Sequence, residues 1–363
     1  MEEESELKAG RSRLVFAGLA GAAKDIDPNR CLIVTDPEIR RLHGSLFPPC
    51  PVIEVERGEK AKTLSSLEAL YGRFLELGLE RSGCVLAIGG GTVSDLSGFA
   101  ASTWMRGVDF GFVPTTLLAM VDASIGGKNG VDFRGFKNLI GTFNCPRFVR
   151  FDVSLLSTLP DRDFSSGMAE VIKHAVLASD GYLDFLEAKC PNRAAIMSAP
   201  DSRGRLEELV RRSVELKAAI VEIDEREAGA RRKLNLGHTI GHAVEAVTGI
   251  PHGFAVAAGL AAALRLSVKR YALPEGSCER ALALLSSWGL PSSVSEAISL
   301  SGQLGSGPRE DSSETRALIA EGLVADKKRI GGEILFAAPS EIGRVRIVPI
   351  PVSELADFVK ETP

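Results

Sequence analysis

The chain has 363 residues, 45% of them hydrophobic and 25% charged, the balance of a soluble globular protein and not of a disordered or fibrous one. That length exceeds what one ordinary core serves and predicts two domains. Lysine and arginine number 43 against 47 acidic residues, a formal charge of −4, so no global basic field recruits nucleic acid.

The opening Met1-Glu-Glu-Glu-Ser-Glu6 carries no basic region ahead of an apolar stretch and does not read as a secretory signal. Arg30–Asp36 is an apolar, β-branched run that predicts a buried strand, and Pro51–Glu56 predicts a second. A helix is expected from Gly58 through Leu77, stopping at Gly78. Cys84–Ile88 predicts a third strand, broken by Gly89-Gly90-Gly91, and Asp109–Pro114 a fourth. Strands alternating with helical patterns predict βαβ units and a parallel sheet covered on both faces. Beyond Leu159-Pro160 helical periods dominate, at Ser165–Ala178, Leu206–Glu225, His238–Val247, Ala255–Tyr271 and Cys278–Trp288. Strand signals return only at Glu333–Ala338 and Val345–Val348, and the Ser- and Gly-rich stretch Ser299–Glu314 reads as a loop. The expected organisation is a Rossmann-like α/β domain over residues 1–158 and a mainly α-helical domain over 159–363. The most apolar run, Phe254–Leu264, falls well short of the roughly 20 residues that cross a bilayer. The six cysteines show no Cys-x-x-Cys spacing and read as reduced thiols, so no membrane partner and a cytoplasmic location are expected.

Four segments carry chemistry. Strand, triple glycine and helix start over Cys84–Gly98 bare backbone amides at a helix N-terminus, a seat for a pyrophosphate or simply a tight turn. Asp36 and Glu59 are carboxylates of the kind that take ribose hydroxyls. Thr115-Thr116, Asp122, Gly126-Gly127-Lys128 and Lys137-Asn138 offer hydroxyls, a cation and an amide, either for a phosphate or as a solvated surface loop. In the predicted helix from Ser165, Glu170, Lys173 and His174 share one face at i, i+3 and i+4. An exposed ion pair is the plain reading of that face, although Val171, Ile172 and Ala175 leave little of the helix polar.

Of five histidines, three fall close together at His238, His242 and His252. His238 and His242 stand at i, i+4 with Thr239 where a zinc protease has glutamate, so that chemistry is excluded. His252 is expected in the following loop, able to fold back. Two imidazoles and a carboxylate with one open position make a catalytic zinc pattern. Spacing does not choose which histidine ligates and which moves protons. Lys217, Arg231 and Asp326-Lys327-Lys328 add cations that suit an anionic substrate.

Taken in order, GGGTVSDLSGFAASTWMRG, VPTTLLAMVDASIGGKNGVD, FKNLIG, GMAEVIKHA, DERE, LNLGHTIGHA, PHG and ADKK resemble the 3-dehydroquinate synthase family over about residues 30–350. The resemblance implies an N-terminal NAD-binding domain, a helical C-terminal domain and an active site between them. It implies zinc or cobalt on Glu170, His238 and His252, with His242 moving a proton or binding substrate. It implies a phosphorylated sugar acid, 3-deoxy-D-arabino-heptulosonate 7-phosphate, on Arg106, Asp122, Lys128, Asn138, Lys173, Lys217, Arg231, Asn235 and Lys327. NAD is implied on Asp36, Gly58, Glu59, Lys62, Gly91, Thr92, Val93, Ser94, Asp95, Thr115, Thr116, Lys128, Lys137, Leu155, Leu156, Ser157 and Thr158. The chemistry implied is transient C5 oxidation, β-elimination of phosphate, re-reduction, ring opening and aldol closure, in a homodimer.

Three positions depart from the family's pattern. Phe254 stands where the family has glutamate after His-Gly, Asn129 where it has threonine, and Phe136 where it has glycine. The first removes a carboxylate from the metal's neighbourhood, and the last gives up backbone freedom beside Lys137. Other sugar-phosphate cyclases are rivals that share fold, NAD and metal. A metal-dependent alcohol or glycerol dehydrogenase of related fold is another, and a protein binding NAD or metal only in a structural role is a third. The dehydrogenase would need no cradle of cations and would release NADH.

Overall fold

The computed structural model describes residues 5–304, 310–324, 329–330 and 332–361. It divides into two compact units, Met1–Phe164 with Val214–Arg226, and Ser165–Ser213 with Glu227–Pro363. The first break lies a few residues beyond the Leu159 expected from sequence. Val214–Arg226, the second half of a long helix and the three residues after it, groups with the first unit.

In the first unit the strands are β1 (Ser5–Ala9), β2 (Ser12–Phe16), β3 (Cys31–Thr35), β4 (Val52–Glu54), β5 (Cys84–Gly89), β6 (Asp109–Pro114), β7 (Lys128–Phe133), β8 (Phe136–Phe143) and β9 (Phe148–Phe151). The helices are α1 (Pro37–His43), α2 (Leu64–Glu76) and α3 (Gly91–Thr103). The sheet runs β1-β2-β9-β6-β5-β3-β4, parallel except for the β1–β2 hairpin at one edge. All five residues of β3 are buried, and Ile33, Val34, Val85, Leu86 and Ile88 form the sheet's interior, as expected of strands covered on both faces. From β3 the chain leaves toward β4, and from β5 it leaves toward β6 on the other side. The gap between the carboxyl ends of β3 and β5 is therefore the topological switch point, where open α/β sheets bind ligands.

Three expectations are revised in this unit. The helix expected from Gly58 begins at Leu64: Glu59–Ala61 form a separate 3₁₀ turn, and Thr63 Oγ1 caps α2 by accepting from Ser66 N at 3.0 Å. The Lys128–Asn138 segment is a β-hairpin and not a flexible loop. Its turn places Arg134 at φ 49° and Gly135 at φ 82°, so Phe136 already lies in a strand and needs no glycine freedom.

In the second unit the helices are α4 (Asp161–Ala178), α5 (Asp180–Lys189), α6 (Arg193–Met197), α7 (Ser202–Ile223), α8 (His238–Thr248), α9 (His252–Arg270), α10 (Glu275–Ser287), α11 (Val294–Ser301), α12 (Ser313–Val324) and α13 (Val352–Glu361). The first residues of α4 and the last of α7 belong to the other unit. A small sheet of β10 (Arg329–Ile330), β11 (Glu333–Glu341) and β12 (Arg344–Pro351) completes it. The Ser299–Glu314 stretch is shorter as a loop than expected, since α11 reaches Ser301 and α12 starts at Ser313. Residues 305–309 within it lie outside the described residues.

Two glycine contacts set this unit's centre. A Cβ at Gly259 would lie 2.6 Å from Gly241 N, so α8 and α9 touch backbone to backbone. A Cβ at Gly253 would lie 2.6 Å from Ser166 C, so the first turn of α9 rests directly on α4. All six cysteines are thiols. Among the described residues no helix is long and apolar enough to cross a membrane.

Candidate active site

From Ser166 to Leu177 helix α4 is buried all round, and Met168, Ala169, Val171, Ile172 and Ala175 are inaccessible, as is Phe164 before them. Glu170, Lys173 and His174 share that burial, which overturns the reading of an exposed ion pair. Lys173 Nζ lies against Glu170 Oε2 as an ion pair, and no described hydrogen-bond donor is aligned on either carboxylate oxygen. A carboxylate with no access to water and so few donors is poised for a cation.

His238 is the first residue of α8, after Gly237 at φ 81°. His252 is the first residue of α9, not part of a loop, and Gly253 seats that turn beside α4 one turn before Glu170. Glu170 Oε1 consequently lies 3.5 Å from His238 Nε2 and 3.9 Å from His252 Nε2. On each ring the other nitrogen is occupied: His238 Nδ1 is 3.3 Å from Leu236 O, and His252 Nδ1 is 3.0 Å from Glu245 Oε2. Donation from Nδ1 leaves each Nε2 lone pair facing the carboxylate, the tautomer that binds metal. This donor set, two imidazole nitrogens and one buried oxygen, fits a zinc-like cation.

His242 is exposed, with its ring centroid 5.1 Å from that of His238 and 5.8 Å from that of His252. One nitrogen from each of the three histidines lies within 4.8 Å of the others. Arg231 is buried in the 3₁₀ turn Ala230–Asn235, and Asn235 Nδ2 donates to Glu227 Oε1 at 2.5 Å. Asp326-Lys327-Lys328 lies outside the described residues.

In the first unit, Asp122 sits in a π-helical turn, Ala119–Ala123, a geometry concentrated at functional sites. Buried Lys217 donates to both its Oδ1 at 2.5 Å and its backbone oxygen at 2.6 Å. Arg106 is exposed in a backbone outlier, with φ 48° at Met105 and 69° at Arg106. Lys128 is exposed at the start of β7. Asn138, at φ 48°, is held by its backbone N–H donating to Asp132 Oδ1 at 2.8 Å.

The switch point gathers several residues expected to hold a nucleotide. Lys62 Nζ lies 2.8 Å from Asp95 Oδ2 and 3.4 Å from Glu59 Oε1. Lys137 Nζ approaches Glu59 at 3.8 Å, and Thr92 Oγ1 donates to it at 3.3 Å. Burial pushes the Asp95 carboxyl up to about 6, against the pull of Lys62. Burial works against the Lys62 ammonium as well, yet Asp95 and Glu59 outweigh it and hold the group above its ordinary value. Gly90 precedes α3 and accepts Ser94 N at 3.1 Å, so the amides at Gly91 and Thr92 point out of the helix start.

Other expected nucleotide residues are already engaged elsewhere. Asp36 Oδ1 caps α1, accepting from Glu38 N and Ile39 N, and Thr116 Oγ1 accepts from Ala119 N. Thr115, Val93, Leu155 and Leu156 are buried. Ser157 Oγ donates to Ser154 O, and Thr158 Oγ1 lies 3.0 Å from Nε2 of buried His43, whose pKa burial lowers. Gly58 has φ 82°.

Sequence reasoning missed Glu245 and did not separate Glu227 from its DERE motif. Glu245 had one signal: it follows His238 by seven residues, two turns along the same face of α8. Glu227 shows itself only in three dimensions, through φ 61° and its bond to Asn235.

Comparison with known proteins joins these observations. The family model for the 3-dehydroquinate synthase N-terminal region matches residues 52–166, and that for the C-terminal region matches 167–305. A 3-dehydroquinate synthase from Synechococcus sp. is 41% identical over 329 residues, covering 88% of this chain and 84% of its own. One from Pyrococcus abyssi is 37% identical, covering 95% and 97%. Among solved structures, 2-deoxy-scyllo-inosose synthase complexed with carbaglucose-6-phosphate, NAD+ and Co2+ superposes with a TM-score of 0.81 at 25% identity, covering 99% of this chain and 100% of its own. The 2-epi-5-epi-valiolone synthase of Streptomyces hygroscopicus with NAD+ and Zn2+ superposes with a TM-score of 0.82 at 26% identity, covering 98% and 97%. Both halves of the chain thus match one family in order, and the chain belongs to the 3-dehydroquinate synthase family.

Proposed function

We propose that the chain converts 3-deoxy-D-arabino-heptulosonate 7-phosphate to 3-dehydroquinate and inorganic phosphate, a carbon–oxygen lyase reaction using NAD and a divalent cation, zinc or cobalt. The observation that carries the reading is the convergence of Glu170 Oε1 with the Nε2 atoms of His238 and His252, both rings anchored through Nδ1. Its family relatives bear the same activity in their names, and two solved relatives hold NAD with cobalt or zinc.

When bound, the cation supplies Lewis acidity at a substrate hydroxyl and NAD a reversible hydride acceptor, so NAD is not consumed. The chain's own residues do the rest. Glu170, His238 and His252 hold the cation. Lys173, fixed one turn from Glu170 in the core of α4, presents an ammonium to the same place. His242, exposed and beside both ligand rings, moves a proton. Lys217 is held by Asp122 and Asn235 by Glu227, so each meets the substrate already oriented. Arg106, Lys128, Asn138, Arg231 and Lys327 complete the assigned anion contacts, and paired cations stabilise phosphate as it leaves. Asp36, Gly58, Glu59, Lys62, Gly91–Asp95, Thr115, Thr116, Lys128, Lys137 and Leu155–Thr158 are assigned to NAD, in a homodimeric cytoplasmic enzyme.

The test is phosphate release. Full-length protein with catalytic NAD and zinc should liberate one phosphate per heptulosonate phosphate consumed, with no net rise in NADH absorbance. Stoichiometric NADH from simple polyols, with no phosphate release, would refute the reading in favour of a dehydrogenase.

A further inference from the structure

The two ligand histidines are anchored unequally. His238 Nδ1 faces a neutral peptide oxygen, Leu236 O, at 3.3 Å, whereas His252 Nδ1 faces a carboxylate oxygen, Glu245 Oε2, at 3.0 Å. Glu245 lies inside α8 and is only 8% exposed, a position where a carboxylate is costly unless it accepts a hydrogen bond. Its backbone oxygen also receives Gly249 N at 2.8 Å, closing α8 with Gly249 at φ 65°. Ile250 and Pro251 then lead directly into His252. Position 245 therefore stands at the turn that leads to His252, and its carboxylate meets the His252 ring.

We propose that Glu245 is the positioning residue for the cation: it holds His252 with Nε2 toward Glu170 and strengthens that nitrogen as a donor. The proposal rests on His252 being a ligand, as assigned above. A carboxylate accepting from Nδ1–H fixes the tautomer and orientation of a metal-binding imidazole and raises its basicity. The side chain two residues after His252 is Phe254, which is buried and has no acceptor to offer. The orienting carboxylate comes instead from α8, the helix that also supplies His238.

The experiment compares wild type, Glu245→Gln, Glu245→Leu and His252→Ala as full chains. Each is stripped of metal, titrated with zinc against a chromogenic chelator, and loaded with cobalt for its visible spectrum and with none for its melting curve. Glu245→Leu should lose about 10–100-fold in zinc affinity and shift the cobalt bands. Glu245→Gln, whose amide oxygen can accept the same bond, should fall between it and wild type. Wild-type affinity and spectrum in both Glu245 variants would overturn the proposal, as would equal losses in both accompanied by equal drops in metal-free melting. Undiminished zinc affinity in His252→Ala would instead overturn the ligand assignment, which separates the two failures.

Discussion

Gly253→Ala tests whether backbone contact between α9 and α4 sets the geometry of the metal donors. A Cβ at this position would meet Ser166 C at 2.6 Å, with the Ser166 oxygens at least as close. Carbon atoms in contact prefer about 3.5–4.0 Å, so the first turn of α9 must retreat from α4 by about 1 Å. His252 opens that turn, and Glu170 lies one turn beyond Ser166 on α4. The separation of 3.9 Å between His252 Nε2 and Glu170 Oε1 would then grow toward about 5 Å. Two donors each about 2.0–2.2 Å from zinc cannot be more than about 4.4 Å apart, and in a tetrahedron they stand about 3.4 Å apart. The wild-type spacing closes onto zinc with a small movement, and the variant spacing does not. We expect an overpacking cost of about 1–3 kcal/mol. We also expect a zinc affinity loss exceeding the about 10–100-fold that follows removal of an outer hydrogen bond. Chelator competition reads the affinity, cobalt absorption the coordination, and urea titration the stability. A folded Gly253→Ala protein with wild-type zinc affinity and unchanged cobalt spectrum would refute the argument that this contact sets the site.

Three further substitutions address individual residues. His238→Ala should lose bound metal together with activity, whereas His242→Ala should keep metal and lose turnover; metal analysis beside the phosphate assay checks this, and the reverse pattern would make His242 the ligand. Asp95 has its folded pKa raised from 3.8 to about 6. Its contribution to stability is thus fully present below about pH 3.8 and lost as pH rises through about 6, at most about 3 kcal/mol. Asp95→Asn should remove that fall from urea midpoints measured between about pH 4 and 7, and an unchanged slope would contradict it.

The sheet of the first unit was legible because β3 and β5 are buried on both faces and therefore read as unbroken apolar runs. β1, β2, β9 and the β7–β8 hairpin were not. Much of β1 and β8 is exposed: Ser5–Ala9 alternates, but over only five residues with Leu7 and Ala9 as its apolar positions, and Phe136–Phe143 mixes a charge, polar residues and glycine without a clean period of two. In the second unit the helix patterns located α4, α8 and α9 to within a few residues. They did not show that α4 is buried all round from Ser166 to Leu177, because Glu170, Lys173 and His174 break its apolar surface at the positions that matter chemically. Those are the sites where local propensity and tertiary environment conflict, and such conflicts mark function. His252 was misplaced into a loop because Pro251 reads as a break, whereas here it immediately precedes the first helical residue.

The three departures from the family's pattern differ in weight, and the difference follows from what each side chain touches. Asn129 is buried and its Nδ2 donates to Gly127 O at 3.0 Å and Asn144 O at 2.8 Å, tying the hairpin's base together. A Cβ at Gly98 would sit 2.6 Å from Asn129 Cγ, so α3 tolerates this residue only because it presents a glycine. Phe136 changes no backbone demand, since Arg134 and Gly135 carry the positive φ of the turn. Phe254 alone bears on the metal. Its ring is buried in the first turn of α9, the turn that begins at His252. A carboxylate there would add negative charge near a centre where Glu170 and Glu245 already supply two. With phenylalanine in its place, the charge that orients His252 comes from Glu245 across the α8–α9 turn, which makes the metal's hold on this chain depend on the packing of those two helices.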